Sequence, residues 1–151
     1  MATINSSTGG FSKSFALNCQ KALEAVNAQC YKITRELFLS IVELSPSPDH
    51  PGPTAKGVLV NNWFPVDGPS FSTATTSSRS RNGSQSISRI NALQGRSFLG
   101  KDGVITLNNN LHYAYRAEVL GWPKSDGWSG RISTPYRMVA LSLQKIGAKY
   151  K

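Results

Sequence analysis

The longest regular pattern of apolar positions lies in the first third of the chain. Apolar residues recur there at steps of three and four, the period of one face of an α-helix: Phe15, Cys19, Ala22, Val26, Cys30, Ile33, Leu37 and Ile41. Ser12 or Ser14 is a candidate cap, and Ser45-Pro46 ends the pattern because proline cannot continue the hydrogen-bond ladder. The pattern predicts a helix of about thirty residues, well beyond the usual ~11–12. Such a helix either projects towards a neighbouring subunit or packs along its own domain.

Strand patterns follow in the middle of the chain. Over residues 58–64, Val58, Val60, Asn62 and Phe64 interleave with Leu59, Asn61 and Trp63, which predicts a strand with one face more apolar than the other. Pro65 and then Asp67-Gly68-Pro69 are expected to end it. Residues 70–78 favour an extended conformation through their threonines but lack core residues, so they form either an edge strand or a loop. A turn at Lys101-Asp102-Gly103 leads into a further predicted strand over residues 104–107.

Two shorter helices are also predicted. The first starts at a capping Ser84 or Ser86, stops at Gly95, and turns Gln85 and Arg89 to solvent or to a partner. Its apolar side is formed by Ile87, Ile90 and Leu93.

The second of these helices lies at the C-terminal end of the chain. Thr134 is its predicted cap, Pro135 its first residue and Gly147 its end. Its apolar stripe is Tyr136, Val139, Ala140, Leu143 and Ile146. Residues 111–120 fit either a short helix or a strand and loop. The predicted fold class is α+β, with a long N-terminal helix, a small mainly antiparallel sheet, a short middle helix and a C-terminal helix.

The 151 residues fall within the size range of one globular domain. We expect a flexible, small-residue arm over residues 1–10 and a single α+β domain over residues 11–151. The chain has no apolar run of the ~18 residues that a bilayer span requires, and its first residues lack the pattern of a signal peptide. No membrane partner is therefore expected.

Basic residues outnumber acidic ones, 17 to 8, and give a formal net charge of +9. No acid lies between Asp67 and Asp102, and only bases follow Asp126. This pattern suits contact with nucleic acid or with an acidic protein surface, and solvated surface charge is the alternative. The candidate interface or DNA-channel residues are Arg79, Arg81, Arg89, Arg96 and Arg131, with Trp122 and Trp128, two loop tryptophans that either cover a core edge or anchor an interface.

Motifs of known chemistry are missing from the sequence. There is no phosphate-binding Gly-Lys-Ser/Thr loop, no dinucleotide-binding glycine motif and no nucleophile elbow. His50 and His112 lack partners at metal-ligand spacing. Cys19 and Cys30, about 16 Å apart on one helix, cannot pair and are interpreted as buried small hydrophobes. We therefore expect no enzymatic activity, cofactor or metal.

Glu118 is the one carboxylate that stands out, because it lies beside a base and among tyrosines in residues 113–118. It is either a general acid or base or, as we expect, one partner of a buried or intersubunit ion pair with an arginine.

Three blocks of the sequence resemble a known family. Residues 108–118 (NNNLHYAYRAE), with Gly121 shortly after, resemble the "thr-asn-asn-leu-pro-tyr-ala…glu-tyr-gly" block of the tail-completion and neck proteins of tailed bacteriophages. Residues 57–63 resemble that family's "gly…leu…gly-asn-trp" segment, and residues 134–139 resemble its small residue and proline before a helix that begins Met-Val. With the long N-terminal helix, the resemblance spans nearly all of the chain from residue 11.

Two positions depart from the family pattern. His112 stands where the family usually has proline, and Leu120-Gly121-Trp122 replaces its more compact glutamate-tyrosine-glycine run. Both changes alter the expected turn geometry around residues 112–122. The residues that match the family's motifs, for which the resemblance implies structural roles, are Gly57, Asn62, Trp63, Asn109, Asn110, Tyr113, Ala114, Glu118, Gly121, Pro135 and Met138.

The resemblance implies a structural virion protein that forms a homo-oligomeric ring of six or twelve copies at the head-tail junction. Its implied partners are copies of itself, the portal connector and the tail proteins, with non-specific contact to genomic DNA in the channel. Its implied location is the virion neck, and the host cytoplasm during assembly. A basic DNA-binding accessory protein is the alternative. We further expect Trp63 in the core beneath the long helix, and Trp122 and Trp128 near a subunit contact.

Overall fold

Five helical segments and one pair of strands follow one another in the computed structural model, which describes residues 8–45, 57–69, 71–80, 82–96, 98, 103–121 and 135–151. In chain order they are α1 (Thr8–Leu44), α2 (Val58–Asn61), β1 (Trp63–Asp67), α3 (Ser84–Asn91), β2 (Ile105–Asn109), a π-helical turn (Arg116–Leu120) and α4 (Met138–Lys149). The predicted α+β class is confirmed, with its long first helix, antiparallel strands, short middle helix and C-terminal helix.

The first helix is longer than predicted, at 37 residues. It ends at Leu44, as the proline signal indicates, and the Ser45 hydroxyl donates a 2.8 Å hydrogen bond to the carbonyl of Ile41. At its other end α1 includes residues 8–10, which the sequence pattern assigns to a flexible arm. A helix that is already nucleated gains one hydrogen bond per added residue, so it can extend through poor helix formers. Residues 1–7 lie outside the described part of the chain.

The strand predicted over residues 58–64 is wrong in its first half. Residues 58–61 form the single turn of α2, and β1 begins only at Trp63. The chain enters α2 through Gly57 at φ +82°, where an added Cβ would lie 2.7 Å from the carbonyl oxygen of Arg79. The amides of Asn61 and Asn62 then donate back to the carbonyls of Gly57 and Val58 at 2.8 and 2.7 Å. These side-chain hydrogen bonds stabilise a short helical turn. The order of residue types along the chain does not reveal them.

The two strands pair antiparallel, with Trp63 opposite Asn109 and Asp67 opposite Ile105. The sequence predicts that Pro65 ends the strand, but Pro65 lies inside β1, opposite Leu107. Proline is tolerated because each strand of a two-stranded sheet has one edge without a ladder. Residues 71–80 form neither helix nor strand, so the loop alternative is the correct one for that part of residues 70–78.

The core lies where the C-terminal part of α1 meets α2, α3, the sheet and the start of α4. Its buried residues are Phe38, Ile41, Val42, Leu59, Val60, Trp63, Ile90, Leu93, Ala114, Ala117 and Met138. Gly83, at φ +66°, sits so close to this core that an added Cβ would lie 2.8 Å from both Val42 and Val60. Gly83 is therefore part of the packed core, whereas Asn82 and Ser84 on either side of it are exposed.

The middle helix is confirmed, but its capping residues differ from the prediction and it ends at Asn91, before the predicted stop at Gly95. The backbone N–H of Ser84 donates to Asn82 and that of Gln85 donates to Asn61, both at 3.2 Å. Ser86 is fully buried, and its hydroxyl accepts the N–H of Trp63 at 3.1 Å. The caps of α3 are thus asparagines from outside the helix and not its own serines.

The C-terminal helix starts later and ends later than predicted. Pro135 precedes α4, and Gly147 lies inside its last turn, where one glycine costs only about 1 kcal/mol. Its buried positions are Met138, Ser142 and Ile146, whereas Leu143 is exposed. The buried stripe includes a serine because the Ser142 hydroxyl bonds that of Ser40 on α1 at 3.1 Å. The predicted cap Thr134 lies outside the described residues.

Candidate functional site

The three blocks that carry the family resemblance meet in the folded chain. The amide of Asn109, in the second block along the chain, donates to the carbonyl of Leu59, in the first block, at 3.0 Å. The N–H of Tyr136 donates to the carbonyl of Ala117 at 2.9 Å, which joins the third block to the second. Segments separated by about fifty and twenty residues in the sequence therefore form one cluster, which we call the block cluster (residues 57–63, 108–121 and 135–140).

Glu118 caps the start of α4. Its carboxylate oxygens accept the backbone N–H groups of Val139 at 3.1 Å and Ala140 at 3.3 Å. The first N–H groups of a helix lack internal acceptors and carry partial positive charge, so a carboxylate there stabilises the helix. The residue at the cap position itself, Arg137, has φ +52° and makes no side-chain cap bond. Within the described residues of one copy, Glu118 forms no ion pair with an arginine, and its expected intersubunit pair stays a prediction.

Two adjacent, fully buried asparagines fix the loop over residues 71–80 to the core. Asn62 mimics a strand, because its amide donates to the carbonyl of Thr76 and its oxygen accepts the Thr76 N–H, both at 2.8 Å. Asn61 donates to the carbonyl of Ser80 at 2.5 Å, and Asn110 donates to that of Ala74 at 2.9 Å. We call Asn61, Asn62 and Asn110 the amide clamp. The sequence pointed to Asn62 and Asn110 through the resemblance but gave no signal for Asn61.

The other motif residues support the same cluster. Trp63 is buried beneath α1, as predicted, and its indole N–H donates to the Ser45 hydroxyl at 2.8 Å. Ala114 and Met138 are buried, and Pro135 is half-buried. Burial raises the pKa of the half-buried Tyr113 phenol above its ordinary value. Gly121 ends the π-helical turn at φ +80°, a conformation that favours glycine.

Two of the candidate arginines have structural partners and are poor candidates for contact with DNA. The Arg89 guanidinium donates to the carbonyl of Asn61 at 2.8 Å and lies 4.0 Å from the ring centre of Phe64, so the predicted exposure of Arg89 is wrong. Burial lowers its pKa from the ordinary value. Arg96 forms an ion pair with Asp67.

Of the remaining candidates, one is exposed and four lie in segments that the structure does not describe. Arg79 is exposed, beside a cleft lined by His112 and Thr76. Arg81, Arg131, Trp122 and Trp128 lie outside the described residues. The structure thus brings none of the candidate arginines together into a single described patch.

Every carboxylate in the described segments has a partner. Glu36 and Glu43 on α1 pair with Lys149 and Lys145 of α4, at 2.6 and 3.3 Å. Glu24 accepts a hydrogen bond from Gln20, and Asp67 and Glu118 are engaged as described above. Four of these acids hold elements together, and Glu24 bonds within α1; Glu36 and Glu43 also line clefts beside α1.

The two halves of α1 have opposite environments. Residues 27–44, the seated half, pack on the domain; the outermost contact is at Asn27, whose side-chain oxygen accepts the Phe98 N–H at 2.6 Å. Every residue from 10 to 26, the projecting half, is exposed, including Phe11 at 77% and Phe15 at 61%. The alternative of a projecting helix thus holds for the first half, and packing along the domain holds for the second.

The cysteines and the ligand types add no metal or membrane feature in the described segments. Cys19 is exposed, contrary to the prediction of a buried thiol, and Cys30 is half-buried; both are free. No three His, Cys, Asp or Glu side chains of those segments gather as metal ligands would. None of the described helices combines the length and apolarity that a bilayer crossing requires.

Comparison with known proteins returned no relative. Neither the protein-family models, nor the curated proteins, nor the solved structures include a match to this chain.

Proposed function

We propose that this chain is a structural virion protein of a tailed bacteriophage, which assembles as a ring of six or twelve copies at the head-tail junction. In this role it joins the portal connector to the tail, reaches its place from the host cytoplasm during assembly, and acts by binding and not by catalysis.

The block cluster is the observation that carries this proposal. Residues chosen only for their resemblance to neck proteins prove to be mutual neighbours: Asn109 reaches Leu59, Tyr136 reaches Ala117, and Glu118 caps α4. A chance resemblance would have no reason to select residues that share one cluster. The projecting half of α1 adds support, because an assembly protein needs apolar surface to offer to a neighbour.

A basic DNA-binding accessory protein is the second candidate. The formal net charge of +9 favours it, and so does the exposed Arg79. Against it, Arg89 already donates to the carbonyl of Asn61, and Arg96 is already paired with Asp67 at the surface. We therefore rank assembly first.

A comparison of binding to portal complexes with binding to duplex DNA tests the proposal. The purified protein is mixed with portal complexes of its phage, or with duplex DNA, and binding is followed by sedimentation over a salt series. We expect portal binding that persists at high salt, and rings in negative-stain images of the complex. Arg79→Glu serves as the charge variant and should leave portal binding unchanged.

The opposite pattern would overturn the proposal. If the protein ignores portal complexes but binds DNA with an affinity that falls steeply with salt, and Arg79→Glu weakens that binding, the accessory-protein role is correct.

A further inference from the structure

We propose that the projecting halves of α1 from two copies of this chain pair side by side, antiparallel, about a two-fold axis beside Cys19. This pairing is a property of the free protein and does not depend on the proposed role in the virion.

The apolar stripe of α1 continues unbroken from the seated half into the projecting half. Its steps repeat as four, four and three: Phe11, Phe15, Cys19, Ala22, Val26, Cys30, Ile33, Leu37, Ile41 and Leu44. This is an eleven-residue repeat of about 3.67 residues per turn, so the stripe stays on one side of a nearly straight helix.

In the seated half, α4 packs along one edge of this stripe. At about 100° per residue, Ser40 lies on the same side as Phe15, Ala22 and Ile33. The Ser40 hydroxyl meets Ser142 of α4 at 3.1 Å, and the neighbouring Glu36 meets Lys149, the last residue of α4, at 2.6 Å. Beyond that point no described element continues the line of α4. Along the stripe, Ile33 and Cys30 are half-buried, and the 17 residues from 26 back to 10 are exposed over a length of about 25 Å.

The exposed stripe offers enough area for a second copy. Phe11, Phe15, Leu23 and Val26 each expose half or more of their surface, and the rings of Phe11 and Phe15 stack on each other 6.4 Å apart. Aromatic side chains present ~150–250 Å² each, so the four together expose on the order of 500 Å². Two copies would bury about 1,000 Å², the lower limit for a specific interface. A weak dimer is expected from an area of this size.

Side-chain size selects the antiparallel direction. The large residues lie towards the helix start, at Phe11 and Phe15, and the smaller ones follow at Ala22 and Val26. In an antiparallel pair centred between Asn18 and Cys19, Phe15 packs against the partner's Ala22 and Phe11 packs against the partner's Val26. A parallel pair would instead set phenylalanine against phenylalanine and leave a void at Ala22, which costs packing energy.

Charge does not oppose the contact. Lys13, Lys21 and Glu24, the charged residues of the projecting half, lie on the side of α1 away from the stripe at about 100° per residue. Two stripes can therefore meet without desolvating a charge, which would otherwise be costly.

Sedimentation equilibrium of the full chain over a micromolar concentration series tests the pairing. We expect a monomer–dimer equilibrium that Phe15→Glu weakens by at least about tenfold, since it buries a carboxylate in the apolar contact. Leu17→Glu is the matched control: Leu17 is 51% exposed and lies on the opposite side of α1, so its dimer should match the parent. Both variants insert a good helix former at an exposed site, and circular dichroism checks that the helix remains.

The two natural cysteines report the direction of pairing. With Cys30→Ser, Cys19 lies next to its symmetry mate, and a short bismaleimide should link the dimer. With Cys19→Ser, the two Cys30 residues are about 35 Å apart in an antiparallel pair, so no link should form. Efficient linkage through Cys30 would show a parallel pair and overturn the proposal.

Other outcomes also overturn it: a monomer at every concentration, an equal loss in Phe15→Glu and Leu17→Glu, or a monomer that co-sediments with anionic lipid vesicles through Phe15. The proposed virion role has a separate readout. If portal binding is absent while the Cys19-linked dimer forms, the virion role fails and the pairing stands.

Discussion

The seated and projecting halves of α1 share one helix and one apolar stripe, yet they differ in everything that surrounds them. In the seated half, Phe38 is 6% exposed and packs in the core, while Phe15 in the projecting half is 61% exposed. The seated half packs against α2, α3 and α4 and accepts the N–H of Phe98, whereas every residue from 10 to 26 is exposed. Periodicity therefore tells which side of a helix is apolar but not what covers that side.

The largest expected effect comes from replacing the same residue type in each half. Phe38→Ala should lower the free energy of unfolding by about 3–5 kcal/mol, because it opens a cavity in the core. Phe15→Ala should change it by less than about 0.5 kcal/mol when measured on dilute, monomeric protein. Thermal unfolding at low micromolar concentration measures both, at about 2–4 °C per kcal/mol for a chain of this length.

These two variants can disprove the difference between the seated and projecting halves of α1. A comparable loss of melting temperature in both would mean that the projecting half is packed in the monomer. If amide hydrogen exchange in the projecting half slows as the protein concentration rises, that half is covered only when copies associate, and the difference between the two halves becomes clearer.

A smaller effect is expected at Glu118, which fixes the start of the helix that covers the seated half. Glu118→Ala should lower the free energy of unfolding by about 1–2 kcal/mol, since two N–H groups of α4 lose their acceptor. Glu118→Gln keeps one acceptor oxygen but loses one of the two hydrogen bonds as well as the charge near the helix end, which alone is worth about 0.3–1 kcal/mol. Amide exchange should rise in α4 and in the seated half but stay unchanged in the projecting half. Equal stability of Glu118→Ala and the parent would rule out the cap.

The smallest effect concerns pH. The hydrogen bond from Lys149 holds the pKa of Glu36 below its ordinary value of 4.5, and the same bond raises the pKa of Lys149 above 10.5. The pair therefore stabilises the folded chain between these limits. Its contribution disappears as pH falls through the lowered pKa of Glu36, or as pH rises through the raised pKa of Lys149.

Melting curves over pH, with Glu36→Gln as the comparison, measure this contribution. The variant should be slightly less stable than the parent at neutral pH and equal to it in acid. A difference that grows towards low pH would have the wrong sign and would contradict the assignment.

Local signals in the sequence predicted the long helix, its end at Leu44, the middle helix and the second strand, because those elements follow periodicity and proline or glycine stops. They misplaced α2 and β1, since the order of residue types over 58–64 fits a strand as well as it fits a helical turn followed by a strand. What decides that segment is the pair of buried amides at Asn61 and Asn62, which bond to carbonyls about 14 to 19 residues away. Such partners have no local signature.

The candidate site was predicted in part, and for a similar reason. Block resemblance found Asn62, Asn109, Asn110 and Glu118, whose structural roles are now visible. Charge clustering selected Arg89 and Arg96 as contact residues, although both already have partners in the same domain, the carbonyl of Asn61 and the carboxylate of Asp67. A count of charges cannot separate a cation that faces solvent from one that is already paired.

The contact between α1 and α4 also sets an order for folding. Ser40 with Ser142, and Glu43 with Lys145, join residues 102 positions apart, so the ribosome makes the first helix long before the one that covers it. At a synthesis rate of about 5–20 residues per second, the whole stripe waits for several seconds without its partner. During that interval the nascent chain offers both halves of α1 to chaperones and to other nascent copies. Completion of α4 then withdraws the seated half and leaves only the projecting half on offer.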